Sequence, residues 1–145
     1  VSLHVSQIAH WALKVSDLDR TLDFYREKLG FREMLRITLD NGQLLVYLRV
    51  TDTQFVEVFP NGRGPEGPAD DAVAVNHICL QTPDIDATIA HLTAQGIVLW
   101  RPKKLGLDGN LQCWVRDPDG NRIEFMQMLP GNMQEQAISQ LAKLR

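Results

Sequence analysis

IAHWALKVSDLDRTL, residues 8–22, returns 67 positions later as VNHICLQTPDIDATI, residues 75–89. His10 meets His77, Leu13 meets Leu80, Asp17 meets Asp84 and Asp19 meets Asp86. Ile8, Leu18 and Leu22 meet Val75, Ile85 and Ile89, so the apolar positions return with the polar ones. The same offset aligns GQLLVYLRVTDTQFVEVF, 42–59, with GNLQCWVRDPDGNRIEFM, 109–126. There Gly42 meets Gly109, Tyr47 meets Trp114, Arg49 meets Arg116 and Glu57 meets Glu124. Two stretches sharing one offset identify an internal duplication, one supersecondary unit written twice. PNGRGPEGPADD, 60–71, rich in Gly, Pro and Asp, separates the copies and reads as a linker.

Each copy opens as a strand and turns into a helix. In the first, 6–15 form a strand, and Ser16 or Asp17 caps a helix carrying Leu18, Leu22, Tyr25 and Leu29 on one face, with Gly30 ending it. Strands follow near 31–38, 43–50 and 54–59. The second copy gives a strand at 73–82, a helix at 84–95 with Ile85, Ile89 and Leu92 inward, and Gly96 at its end. Strands are then expected near 97–101, 110–116 and 121–128, the last two joined by the turn Asp117-Pro118-Asp119-Gly120. Residues 132–145 read as an amphipathic helix on Met133, Ala137, Leu141 and Leu144. The expected class is α+β: two tandem βαβββ modules, 6–60 and 73–128, a linker over 60–72 and a C-terminal helix, in one domain over 1–145.

Composition narrows the function classes. The chain has 145 residues, 44% hydrophobic and 23% charged, an ordinary globular balance. Its net charge is −3, and without a run of five like charges it offers no footprint for nucleic acid or an anionic membrane. The apolar stretches are too short to span a bilayer, and no signal-peptide pattern opens the sequence. Cys79 and Cys113 lie in apolar runs and read as reduced core or pocket residues. Cytoplasm is the expected compartment.

Strand parity carries the chemistry. Side chains alternate across a strand, so Trp11, Leu13 and Val15 face the helix while His10, Ala12 and Lys14 face away. By the same count Val56 and Val58 face the helix, and Phe55, Glu57 and Phe59 face away. In the second copy His77, Cys79 and Gln81, and likewise Arg122, Glu124 and Met126, take the face away from the helix. Each copy thus places one imidazole and one carboxylate among apolar neighbours, where a lone charged carboxylate is costly. Two His and two Glu around one cation resolve that cost, and this nitrogen and oxygen set suits Ni, Co, Zn, Fe or Mn rather than Ca. His4 and His91 fall outside the pattern. Arg49 and Arg116 read as braces for hairpins, and Trp100 and Trp114 as packing residues.

The segments IAHWALKVSDLDRTLDFYREKLGF, QFVEVF, NHICLQTPDID and DPDGNRIEFMQ resemble the vicinal oxygen chelate superfamily, which includes glyoxalase I (lactoylglutathione lyase), epimerases, bleomycin-binding proteins and extradiol dioxygenases. The resemblance spans residues 6–128. It implies two βαβββ modules whose sheets form an open cup around a divalent metal held by His10, Glu57, His77 and Glu124. That complete ligand set is similar to glyoxalase I. The resemblance further implies a lyase or isomerase that polarises a hydroxy-carbonyl or thiohemiacetal substrate, with Glu124 as first candidate base and Glu57 its mirror. Lys14, Phe55, Phe59, Cys79, Gln81, Arg122 and Met126 would line the substrate side. The partners implied are a small carbonyl substrate, a glutathione adduct among the candidates, and a second copy in a homodimer. Lys14 stands where glyoxalase I usually has arginine; lysine offers a cation without the bidentate fork. Two alternatives stay open: an epimerase acting on an acyl-CoA or sugar-derived ketone, and a binding protein without turnover.

Overall fold

The computed structural model describes residues 4–143. It divides into two compact units, Val1–Pro65 and Glu66–Arg145, the boundary falling inside the Gly/Pro-rich stretch. Each unit holds a four-stranded mixed sheet, and three helices complete the described elements, an α+β architecture.

In the first unit β1 is His10–Lys14, α1 is Leu18–Leu22, β2 is Arg32–Thr38, β3 is Leu44–Arg49 and β4 is Phe55–Phe59, with sheet order β1-β4-β3-β2. In the second, β5 is Ile78–Gln81, α2 is Ile85–Ala94, β6 is Arg101–Leu105, β7 is Leu111–Arg116 and β8 is Arg122–Gln127, with order β5-β8-β7-β6. The opening strand of each unit pairs in parallel with the last; the other pairings are antiparallel. Such a parallel pair needs a crossover, and the helix supplies it. The duplication is therefore one of topology as well as of residues.

The repeated residues do repeated work. Asp17 caps α1 by accepting from the Arg20 N–H, and Asp84 caps α2 by accepting from the Asp86 and Ala87 N–H groups. Gly30 and Gly96, each past its helix end, hold φ of 80° and 70°, where a side chain is disfavoured. Val46, Leu48, Val56 and Val58 form the buried sheet face of the first unit, under Leu22, Phe24 and Tyr25. Val115 and Ile123 do the same beneath Ile85 and Leu92 in the second.

Four boundaries differ from the sequence expectations. β1 and β5 are shorter than 6–15 and 73–82 because only His10–Lys14 stand in register with β4 and only Ile78–Gln81 with β8. Beyond those limits Ile8 and Val75, equivalent in the repeat, are exposed. The strand expected at 97–101 instead runs over Arg101–Leu105. The Ile97 N–H closes the end of α2 on the Leu92 carbonyl, so the ladder starts later, and Pro102 is tolerated because β6 is an edge strand with an irregular register. The first helix continues as a π-helical stretch, Asp23–Lys28, in which Leu29 N–H reaches the Phe24 carbonyl. That wider turn brings Phe24 inward alongside Tyr25, an addition to the expected apolar face.

The C-terminal helix, α3, is Met133–Ala142, capped by the Asn132 side chain on Glu135 N–H. Met133 and Leu141 are exposed on it, as is Ile138; Leu144 lies outside the described residues. Both cysteines are free, Cys113 buried and Cys79 exposed. Among the described residues no helix is long and apolar enough to cross a membrane.

Candidate functional site

In the first unit His10 and Glu57 meet on the sheet face away from the helix, with Nε2 3.6 Å from Oε2. Parallel register brings them together: His10 stands opposite Phe55 and Ala12 opposite Glu57. The imidazole stacks on Phe55, ring centroids 5.1 Å apart and planes at 20°. Glu57 is half-buried, and opposite it on β3 lies Tyr47. Interaction of its hydroxyl with the Glu57 carboxylate, then burial, raises the Tyr47 phenol above its ordinary range. Phe59 follows on the same face, and Lys14, opposite it in register, is exposed at the strand end.

In the second unit His77 and Glu124 meet in the same way, Nε2 3.2 Å from Oε2. Glu124 is buried, 8% exposed. His77 Nδ1 lies 2.9 Å from Asn76 Oδ1. Two metal–ligand bonds of roughly 2.1 Å meeting at 90–110° would set their donor atoms about 3.0–3.4 Å apart. The His77–Glu124 spacing falls in that window, and the His10–Glu57 spacing lies just outside it. The donor chemistry of each pair, and the spacing of His77 and Glu124, suit ligation of a divalent ion. Among the described residues, no group of three or more His, Cys, Asp or Glu is gathered that could hold a metal.

The remaining candidates of this unit share the face. Cys79 lies opposite Glu124, and Gln81 opposite Met126. Although Cys79 retains solvent exposure, desolvation of the thiol, followed by the Glu124 charge, pushes it up to about 12. It is a neutral thiol at physiological pH, unsuited to act as a nucleophile. Arg122 is buried, its Nη2 donating to the Pro68 carbonyl at 2.9 Å and to Asp70 at 2.5 Å.

Sequence reasoning missed two residues of this face. Tyr47 and Trp114, equivalent in the repeat, stand opposite Glu57 and Glu124 in the β-ladders. Trp114 packs edge-on against His77, centroids 4.6 Å apart, so its packing role lies at the candidate site rather than in the helix-side core. The signal was present: both are aromatics at one hairpin position in both copies. Arg49 braces its hairpin through an ion pair with Asp52, as expected. Arg116 instead lies over Trp100.

A profile of the Glyoxalase/Bleomycin resistance protein/Dioxygenase superfamily matches residues 7–125. Lactoylglutathione lyase of Haemophilus influenzae is 30% identical over 136 residues, covering 83% of this chain and 92% of that protein. A glyoxalase family protein from Enterococcus faecalis superposes with a TM-score of 0.74 at 28% identity, covering 83% of this chain and 96% of the other. Lactoylglutathione lyase from Agrobacterium tumefaciens superposes at 0.65 and 26% identity, covering 85% and 94%. The duplicated βαβββ topology and these matches together establish that the chain belongs to the glyoxalase/bleomycin resistance/dioxygenase superfamily.

Proposed function

We propose that the protein is a metal-dependent lyase or isomerase of the glyoxalase I type, acting on a hydroxy-carbonyl or thiohemiacetal substrate. His10, Glu57, His77 and Glu124 would hold one divalent ion, drawn from Ni, Co, Zn, Fe and Mn, and a homodimer is the assembly proposed. When bound, such an ion supplies Lewis-acid polarisation of a carbonyl oxygen. The observation that carries the reading is the pair of repeat-related His/Glu contacts, 3.6 and 3.2 Å, each on the sheet face away from the helix.

The residues divide the remaining work. Glu124 is the general base and acid, taking a proton from one carbon and returning it to its neighbour. Glu57 is its counterpart, facing Tyr47 across the ladder. Asn76 orients His77, and Phe55 holds the plane of His10. Phe55 and Phe59 would cover the apolar part of a substrate, with Lys14, Gln81 and Met126 around it.

The test is metal analysis of the purified chain, followed by an assay against the hemithioacetal of methylglyoxal and glutathione. Turnover dependent on Ni, Co, Zn, Fe or Mn is expected. Glu124→Gln should lower kcat by at least about 100-fold, with a much smaller change in KM. Full turnover by Glu124→Gln would overturn the assignment of the base.

A further inference from the structure

His10 and His77 are equivalent in the repeat but are held by different neighbours. His10 stacks on Phe55, which stands opposite it in the ladder, with the ring planes at 20°. The equivalent of Phe55 in the second unit is Arg122, so that ring is missing there. His77 instead meets the indole of Trp114 edge-on, ring centroids 4.6 Å apart and planes at 67°. Such a contact restrains the imidazole only if the indole is itself held.

Gln112 holds it. Trp114 is 8% exposed, and its indole N–H, which needs an acceptor once buried, donates to Gln112 Oε1 at 2.9 Å. The two residues are two apart on β7 and share a face, Trp114 opposite Glu124 and Gln112 opposite Met126. The repeat shows that the acceptor accompanies the indole. In the first unit the equivalents of Gln112 and Trp114 are Leu45 and Tyr47, and the buried Leu45 side chain accepts no hydrogen bond. The Gln112 amide is seated in turn by its surroundings. A β-carbon at Gly106 would lie 2.5 Å from Gln112 Nε2 and 2.6 Å from Asp108 Oδ1, so glycine is what leaves room for the amide. The loop 106–110 is closed by Gly106 N–H donating to the Asn110 carbonyl at 2.7 Å. It is tied to α3 by Gln134 Nε2 donating to Asp108 Oδ2 at 2.6 Å and by Asn110 Nδ2 donating to Gln134 Oε1 at 3.0 Å. A held loop, a seated amide and a hydrogen-bonded indole thus lead to the ring of His77.

We infer that Gln112 is a positioning residue for the second imidazole of the proposed metal set: by holding Trp114 it fixes the plane in which His77 presents Nε2 to Glu124, 3.2 Å away. A ligand ring already in its coordinating orientation has less freedom to lose when an ion binds. The metal role of His77 rests on the reading given under Proposed function; the hold on its ring stands on the contacts named here.

The experiment combines NMR of the metal-free full chain with nickel titration. The His77 ring protons, assigned with His77→Gln, feel the ring current of the indole beside them. Gln112→Leu, which removes the acceptor at similar volume, should move those resonances and the Trp114 indole N–H resonance, and should weaken nickel binding about tenfold. Gln112→Glu keeps an acceptor oxygen and should stay within about threefold of wild type. In a Trp114→Phe chain, which has no indole N–H at this position, Gln112→Leu should cost less than about twofold. Gly106→Ala displaces the Gln112 amide from a distance along the chain and should move the same His77 resonances, so it carries the test if Gln112→Leu does not fold. Unmoved His77 resonances, unweakened nickel binding in Gln112→Leu, or equal losses with and without the indole would overturn the positioning role. A wild type that takes up no nickel, with His77 resonances that follow Gln112, would overturn the metal enzyme and leave the positioning role standing; nickel uptake with resonances indifferent to Gln112 would do the reverse.

Discussion

The two glutamates are equivalent in the repeat but not in chemistry. Opposite Glu57 lies Tyr47, whereas the residue opposite Glu124 is Trp114, whose indole N–H donates to Gln112 Oε1 at 2.9 Å. Glu124 faces the His77 imidazole and stands opposite Cys79, in a more buried setting. Away from the site, Glu33 is held by Arg36, at 2.5 Å, and by Arg26, at 2.8 Å. The Arg36 hydrogen bond above all, with the Arg26 bond opposing desolvation, holds its carboxyl down at about 2. A depressed acid contributes stability above its unfolded value, near 4.5, and loses it as pH falls toward about 2. Discounted for the exposed arginines, that contribution is about 1 kcal/mol. Glu33→Gln should therefore lose about 1 kcal/mol at pH 7 in urea unfolding and should flatten the decline between pH 4.5 and 2. An unchanged pH profile would show the ion pairs to be without energetic consequence.

At the scale of elements, the helices begin where an aspartate can cap them. Asp84 accepts from Asp86 N–H at 2.9 Å and Ala87 N–H at 3.0 Å. Asp84→Ala should cost about 1 kcal/mol in chemical denaturation, and Asp84→Asn a smaller amount because the amide oxygen still accepts. Equal losses in the two variants would show that charge rather than the hydrogen bond matters at this position. The caps and helix-ending glycines were legible because each acts through its immediate neighbours. β6 was not. A strand was expected at 97–101 and lies at Arg101–Leu105, and only the sheet order, which makes it an edge, permits Pro102 within it. The π-helical stretch was equally hidden, since an extra residue in one turn is selected by how Phe24 and Tyr25 pack.

For the whole molecule the proposed ion matters most. A ligand that binds only the folded chain stabilises it by about 2.7 kcal/mol at a hundredfold excess over Kd. Melting curves with Ni, Co, Zn, Fe or Mn should shift upward on addition and return with a chelator, and His10→Gln and His77→Gln should each remove most of the shift. No shift with any of these ions would favour a binding protein that does without metal.

The sequence by itself determined the duplication, the α+β class and the face of each strand. Repeat offset, helical spacing and strand alternation are local regularities, and they sufficed to put His10 with Glu57 and His77 with Glu124 on shared faces. Only the tertiary structure decided which residues stand beside those pairs. Tyr47 and Trp114 reach the glutamates, and Arg101, Arg116 and Arg122 reach Trp100, through ladder register, which depends on where partner strands start and stop. Residues that are distant along the chain become neighbours through that pairing, and no local pattern specifies it.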